Sequence, residues 1–305
     1  MKTITNEQLL KNLSVPTGKV DVVLDTDAFN EIDDQFAIAY LLRSQEKLNT
    51  KAIYAAPFFN DLAESPADGM EKSFQEIHKL LGLIGEQKEV YRCSEHFMTD
   101  EETPVHSPAA DDLSKRALQY SPDNPLYVIA IGAITNVASA ILLEPRVAEN
   151  TVVIWLGGHA RHYHDTNEFN MAGDIAAARV VMNSGVPFVQ LPCQGVVSEF
   201  TVSGPELEYW LLGKSPLANY LAQNTINTAN RYACGKPWTR VIWDVTAVAW
   251  LLNCDDRFMR SSVVSSVLPG YDHQYREVEN SVPMCYVYKI NRDALMEDLL
   301  FKIQN

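Results

Sequence analysis

The sequence predicts an α/β protein with a mostly parallel central sheet and helices on both faces. Three observations carry that reading. Runs such as Val20–Leu24 and Thr151–Leu156 are rich in β-branched apolar residues and lack strict alternation, as strands buried on both faces do. Segments between the runs repeat their apolar residues at helical spacing. The two kinds of segment alternate along most of the 305 residues, the pattern of crossover connections in a parallel sheet.

Val20–Leu24 is the first strand, and 33–44 reads as a helix with two acids in its first turn and Phe36, Ala37, Tyr40 and Leu41 on one face. Residues 51–56 form a second strand. Phe74, Ile77, Leu81 and Ile84 share a helical face, with Gly82 and Gly85 at its fraying end. Ser107 and Pro108 are an N-cap and a first-turn proline opening a helix toward Leu118. The alternation continues with a strand over 126–131, a helix over 136–143 and a strand over 151–156. A helix over 174–184 is stopped by Gly185, and 187–191 is another strand. Residues 206–212, 217–232 and 244–252 read as helices, 284–290 as a late strand and 292–303 as a closing helix. No repeat, low-complexity tract or linker interrupts the chain, so residues 1–305 read as one domain.

Composition narrows the function. Apolar residues make up 47% and charged residues 21%, ordinary for a soluble globular chain with a sizeable core. The net charge of −14 disfavours a nucleic-acid partner, whose phosphates would be repelled. Cys93, Cys193, Cys234, Cys254 and Cys285 are odd in number and scattered, which fits reduced thiols in a cytoplasmic protein better than a disulfide framework or a zinc site. No secretory signal is visible at the N-terminus. Residues 126–143 carry no charge and approach the length of a membrane span. Gly132, Thr135, Asn136 and Ser139 within them, and Pro145 just beyond, fit a strand, a turn and a short helix better. No membrane partner is expected.

In open α/β sheets, ligands bind outside the carboxyl ends of the strands. Directly after the first strand, Asp25, Asp27, Glu31, Asp33 and Asp34 put five acids within ten residues. Carboxylates this crowded repel one another unless a cation neutralises them. Oxygen-only ligation points to calcium or magnesium rather than zinc or copper. A solvated acidic loop, with Asp33 and Asp34 serving only the helix N-terminus, is the competing reading. A phosphoaspartate-type phosphatase is another, but it requires a downstream lysine and further acids in an arrangement the chain does not offer.

Three further segments complete a pattern: Ile131-Gly-Ala-Ile-Thr-Asn136, Trp155-Leu-Gly-Gly158 followed by Asn167-Glu-Phe-Asn170, and Trp243-Asp-Val-Thr246. With the acidic cluster, they resemble the inosine–uridine preferring nucleoside hydrolase family in order and spacing, from Asp21 to Leu252. The resemblance implies the family's Rossmann-like fold, one Ca2+ ion, and hydrolysis of the N-glycosidic bond of a small-molecule ribonucleoside. Family likeness also implies a homodimer or homotetramer. The positions matching the family's calcium ligands are Asp27, Asp34, the carbonyl of Ile131 and Asp244, with Asp25 in support. Asp244 also heads an apolar helix, where its simpler role is an N-cap. Asp27 resembles the family's general base, acting on a water that the cation acidifies and orients. Asp33 would accept a hydrogen bond from a ribose hydroxyl. Glu168, Asn170 and Asn60 match residues that grip the ribose and support an oxocarbenium-like centre; Asn60 alone could form a turn, and Asn170 could cap a helix.

The departures bear on mechanism. The family's aspartate loop is shorter by two residues; the additional residues here fall within 28–32 and the expected Pro-Gly is absent, so Glu31 lands where a shorter loop would place an aspartate, an alternative to Asp33 and Asp34. The segment before Glu168 carries His159, His162 and His164, which read as loop residues with a base contact as the alternative. Trp243 stands where many members carry the histidine that protonates the leaving base. A purine-preferring branch has an aromatic residue there that stacks on the base, and Asp61 resembles a base-contacting acid of that branch. The resemblance therefore leans toward purine nucleosides, with a core role for Trp243 as the alternative. Two other readings keep the fold: hydrolysis of another N-riboside such as nicotinamide riboside, and a catalytically silent metal- and ribose-binding homologue.

Overall fold

Buried apolar runs dominate the middle of the molecule. A computed structural model describes residues 4–279 and 281–304. Along the chain come α1 (Asn6–Asn12), β1 (Val20–Thr26), α2 (Asp33–Leu42), β2 (Leu48–Ala55), α3 (Pro66–Ile84), β3 (Glu89–Arg92) and α4 (Pro108–Arg116). Then follow β4 (Leu126–Ala130), α5 (Thr135–Leu143), α6 (Arg146–Asn150), β5 (Thr151–Leu156), α7 (Phe169–Gly173), α8 (Ile175–Asn183) and β6 (Phe188–Leu191). The last third holds β7 (Thr201–Ser203), α9 (Gly204–Trp210), α10 (Pro216–Ala233), β8 (Thr239–Val241), α11 (Val245–Leu251), β9 (Met259–Ser265), β10 (Val267–Pro269), β11 (Tyr275–Glu277), β12 (Pro283–Ile290) and α12 (Arg292–Gln304).

The central sheet has eight strands in the order β3-β2-β1-β4-β5-β6-β12-β9. Neighbours run parallel except β12 and β9, which are antiparallel. Every residue of β4 and β5 is buried, as strands covered on both faces must be. One helical layer joins α2, α3, α10, α11 and α12, and another joins α4, α5, α6 and α8. A single cluster of buried side chains extends from Leu9 to Ile303. The strand order reverses between β1 and β4, the switch point where doubly wound sheets open a crevice for ligands.

The main elements agree with the sequence reading, with small shifts at their ends. The strand expected over 126–131 stops at Ala130, although the Ile131 amide still donates to the Asp25 carbonyl at 2.9 Å. The segment 126–143 resolves into β4 and α5, and among the described residues no helix is long and apolar enough to cross a membrane. Elements the periodicity did not reveal are α1, the short helices α6 and α7, the edge strands β3 and β9, and the short pairs β7–β8 and β10–β11. Strand β3 is only Glu-Val-Tyr-Arg and β9 is half serine and arginine, so neither has the apolar signature of a central strand.

Candidate active site

At the carboxyl ends of β1, β4, β5 and β6 the chain encloses a cavity of about 360 Å3, within the usual ~300–1,000 Å3 range of ligand pockets. Asp27, Asp33, Asp34 and Asp244 line it and are almost wholly buried. Asp27 follows β1. Asp33 and Asp34 occupy the first turn of α2, where the helix dipole favours negative charge. Asp244 flanks the start of α11, but its side chain makes no capping bond, so its carboxylate is left to the cavity.

One carboxylate oxygen from each of Asp33, Asp34 and Asp244 lies within 4.8 Å of the other two. The Thr26 hydroxyl donates to Asp34 Oδ1 at 2.5 Å. Behind them, the Asn136 side-chain amide donates to Asp25 Oδ2 at 2.8 Å, while Asp25 Oδ1 and Asp27 Oδ2 are buried with no hydrogen-bond partner. A buried carboxylate oxygen without a donor costs free energy. Burial raises the carboxyls of Asp25 and Asp34 to about 7. It also drives those of Asp27, Asp33 and Asp244 well above the ordinary range, with neighbouring carboxylates adding to the effect, Glu31 foremost among them for Asp33. A divalent cation would remove that conflict, and the donor set is the all-oxygen kind that calcium and magnesium take. The residues therefore fit a hard cation.

Gly132 lets the end of β4 approach this cluster. A Cβ there would stand 3.1 Å from Asp27 Oδ1 and 3.2 Å from the Ala56 side chain. The Ile131 carbonyl accepts from Asn170 Nδ2 at 3.3 Å, which leaves a second lone pair free. Asn170 also donates to the Leu156 carbonyl at 3.0 Å, bridging the ends of β4 and β5. Glu168 is buried and its oxygens accept the amides of Gly158, Asn170 and Met171 at 2.8–3.0 Å. Burial raises its carboxyl pKa, and those amides limit the rise.

The remaining expected residues are less deeply placed. Trp243 is half-buried, touching the core cluster and lining the cavity at once. Asn60 lies outside the lining and donates to Asn30, which lines it, at 2.6 Å. Asp61 is exposed beside Asn60. Among the histidines of the loop after β5, His159 and its neighbour Tyr163 line the cavity, whereas His162 and His164 are exposed. The Gln194 backbone N–H donates to His159 Nδ1 at 3.3 Å, and burial lowers the pKa of that ring. Sequence reasoning missed Thr26, Asn30, Cys193 and Gln194. Asn136 sat inside a recognised motif without an assigned role.

Residues 22–294 match the model of the inosine–uridine preferring nucleoside hydrolase family. The chain belongs to that family. As a nucleoside hydrolase it is an enzyme that hydrolyses the N-glycosidic bond of ribonucleosides, in a family that depends on a metal. It is 27% identical over 280 residues to the non-specific ribonucleoside hydrolase RihC of Salmonella paratyphi A, covering 83% of this chain and 86% of that one. Its fold is that of a purine-preferring ribonucleoside hydrolase from Gardnerella vaginalis, with a TM-score of 0.74 at 18% identity over 93% of this chain and 98% of the other. A plant nucleoside hydrolase, the PpNRh1 enzyme, aligns with a TM-score of 0.73 at 19% identity over 93% and 99% of the two chains.

Proposed function

We propose that this nucleoside hydrolase is a calcium enzyme that prefers purine ribonucleosides. The observation that carries the reading is the buried acid cluster on the cavity wall, with unpartnered oxygens on Asp25 and Asp27. Asp27, Asp34, Asp244 and the Ile131 carbonyl would hold the ion, Asp25 would support it, and the proximity of Asp33 to Asp34 and Asp244 adds a further oxygen. The ion would supply positive charge that orients and acidifies the attacking water.

The other tasks fall to protein groups. Asp27 takes the proton of the attacking water on its free Oδ2. Asp33 accepts from a ribose hydroxyl. Glu168, held by three backbone amides, sets negative charge opposite the cationic ribosyl centre and fixes Asn170 between the ends of β4 and β5. Asn60 acts through Asn30, and Asp61, directly after Asn60, is proposed to contact the base. Trp243 offers an indole face to the leaving base, and support for a purine comes from its place in the cavity lining. The single core cluster supports one domain, and five free cysteines support a reducing, cytoplasmic setting. A homodimer or homotetramer remains part of the proposal on family likeness.

The test is ribose release by purified protein from purine and pyrimidine nucleosides and nicotinamide riboside, with calcium and with a chelator. Purine nucleosides should react fastest, and chelation should abolish the reaction. Turnover of nicotinamide riboside alone would assign a different leaving group. Calcium binding without ribose release from any substrate would indicate a silent homologue.

A further inference from the structure

Glu31 belongs to the lengthened aspartate loop and has no role in the chemistry described above. It lines the rim of the cavity, and its Oε2 lies 2.8 Å from Arg240 Nη2. Arg240 sits on β8, paired with Val202 of β7, and its guanidinium lies 5.9 Å from the Tyr232 ring. No lysine or arginine lines the cavity among the described residues.

The position of this ion pair matters more than its strength. Glu31 lies two residues before Asp33, and Arg240 lies three before Trp243 and four before Asp244. The pair therefore joins the two chain segments that bring the cluster's carboxylates together from 211 residues apart. The backbone hydrogen bond between these segments is a long one, from the Asp244 amide to Asp33 Oδ2 at 3.4 Å, and their other links are between carboxylates that repel once ionised. An ion pair this accessible contributes only ~0–1 kcal/mol to folding, so overall stability does not explain it. A longer loop has more conformations to lose, while carboxylates that must meet one cation tolerate little displacement.

We propose that the Glu31–Arg240 ion pair is a strap at the cavity rim, tying the aspartate loop to the segment that carries Trp243 and Asp244. Both are then positioning residues for the cation site and for the wall that meets the leaving base. The inference rests on the calcium-dependent hydrolase reading above.

The test uses Glu31→Gln, Arg240→Met, Arg240→Lys and the charge-swapped pair Glu31→Arg with Arg240→Glu. Calcium affinity is read by titration calorimetry, kcat and KM by ribose release, and folding by thermal midpoint. A strap predicts that Glu31→Gln and Arg240→Met both weaken calcium binding, by about ten-fold, as loss of a partner that orients metal ligands does. KM should rise in both, the midpoints should move by less than ~2–4 °C, and Arg240→Lys or the swapped pair should recover most of the loss. Simple charge tuning predicts opposite signs: removing Glu31's charge weakens the cation and removing Arg240's tightens it. Opposite signs, or unchanged affinity and KM in both single variants, overturn the strap. Wild-type protein that binds calcium but releases no ribose sinks the hydrolase reading and leaves the affinity measurements to decide the strap. Wild-type protein that binds no calcium overturns both.

Discussion

Asp27 combines complete burial, a free oxygen and like-charged neighbours. An amide at this position keeps the size of the side chain but cannot take a proton from water. Asp27→Asn should fold normally and lose kcat by on the order of 10²–10⁴-fold, the usual contribution of a general base. A loss of only a few-fold in ribose release would move the base to Glu31 or Asp33. Trp243 poses a different question, because it meets both core and cavity. If the indole stacks on a purine, the contact is worth ~1–3 kcal/mol, and Trp243→Ala lowers kcat/KM for purine nucleosides about ten- to a hundred-fold. Pyrimidine nucleosides, with a smaller face, should lose less. A core role instead predicts a stability loss approaching the ~3–5 kcal/mol of a buried tryptophan, with both substrate classes falling equally. Thermal midpoints and both sets of rates on the same variant decide between the two.

At the scale of elements, the start of α5 supports the first strand. Asn136 donates to Asp25 and accepts from the Ser107 hydroxyl at 3.1 Å, linking β1, α5 and the cap of α4 in one buried set of bonds. Removing a partner behind metal ligands typically costs ~10–100-fold in metal affinity. Asn136→Ala should therefore weaken calcium binding by that amount although Asn136 does not line the cavity. Unchanged affinity in a folded variant would deny Asp25 a supporting role. Asn136 also shows what sequence could tell. Its motif marked a turn after a buried strand, so the element and its end of the sheet were legible. Its hydrogen bond to a residue 111 positions away was not, because local pattern carries no such pairing. The same limit hid Arg240, whose partner lies 209 residues upstream, and Thr26, which the sequence left beyond the strand although it ends β1. The central strands were legible from their apolar runs. The edge strands were not, since a strand with one exposed side need not be apolar.

For the whole molecule, the acid cluster makes stability depend on both pH and cation. Without a cation, the carboxyls of Asp25 and Asp34 titrate near 7, against the ordinary value of 3.8. Between those values the folded chain holds more protons than the unfolded chain, so stability falls as pH rises. Each pKa unit corresponds to ~1.36 kcal/mol, so one such carboxyl costs the cation-free fold on the order of 4 kcal/mol once ionised. That is a large part of a typical ~5–15 kcal/mol total. Calcium needs these groups ionised, so it competes with the protons and binds more weakly in acid. Its stabilisation should grow across the same window, reaching ~2.7 kcal/mol at a hundred times its Kd. At pH 8, millimolar calcium should raise the thermal midpoint of metal-stripped protein by about 5–10 °C, and at pH 5 by much less. Stripped protein alone should melt lower at pH 8 than at pH 5. Equal calcium shifts at the two pH values would mean that the ion binds away from Asp25 and Asp34. A midpoint of stripped protein that rises with pH would show that these carboxyls are already ionised in the folded chain without the metal.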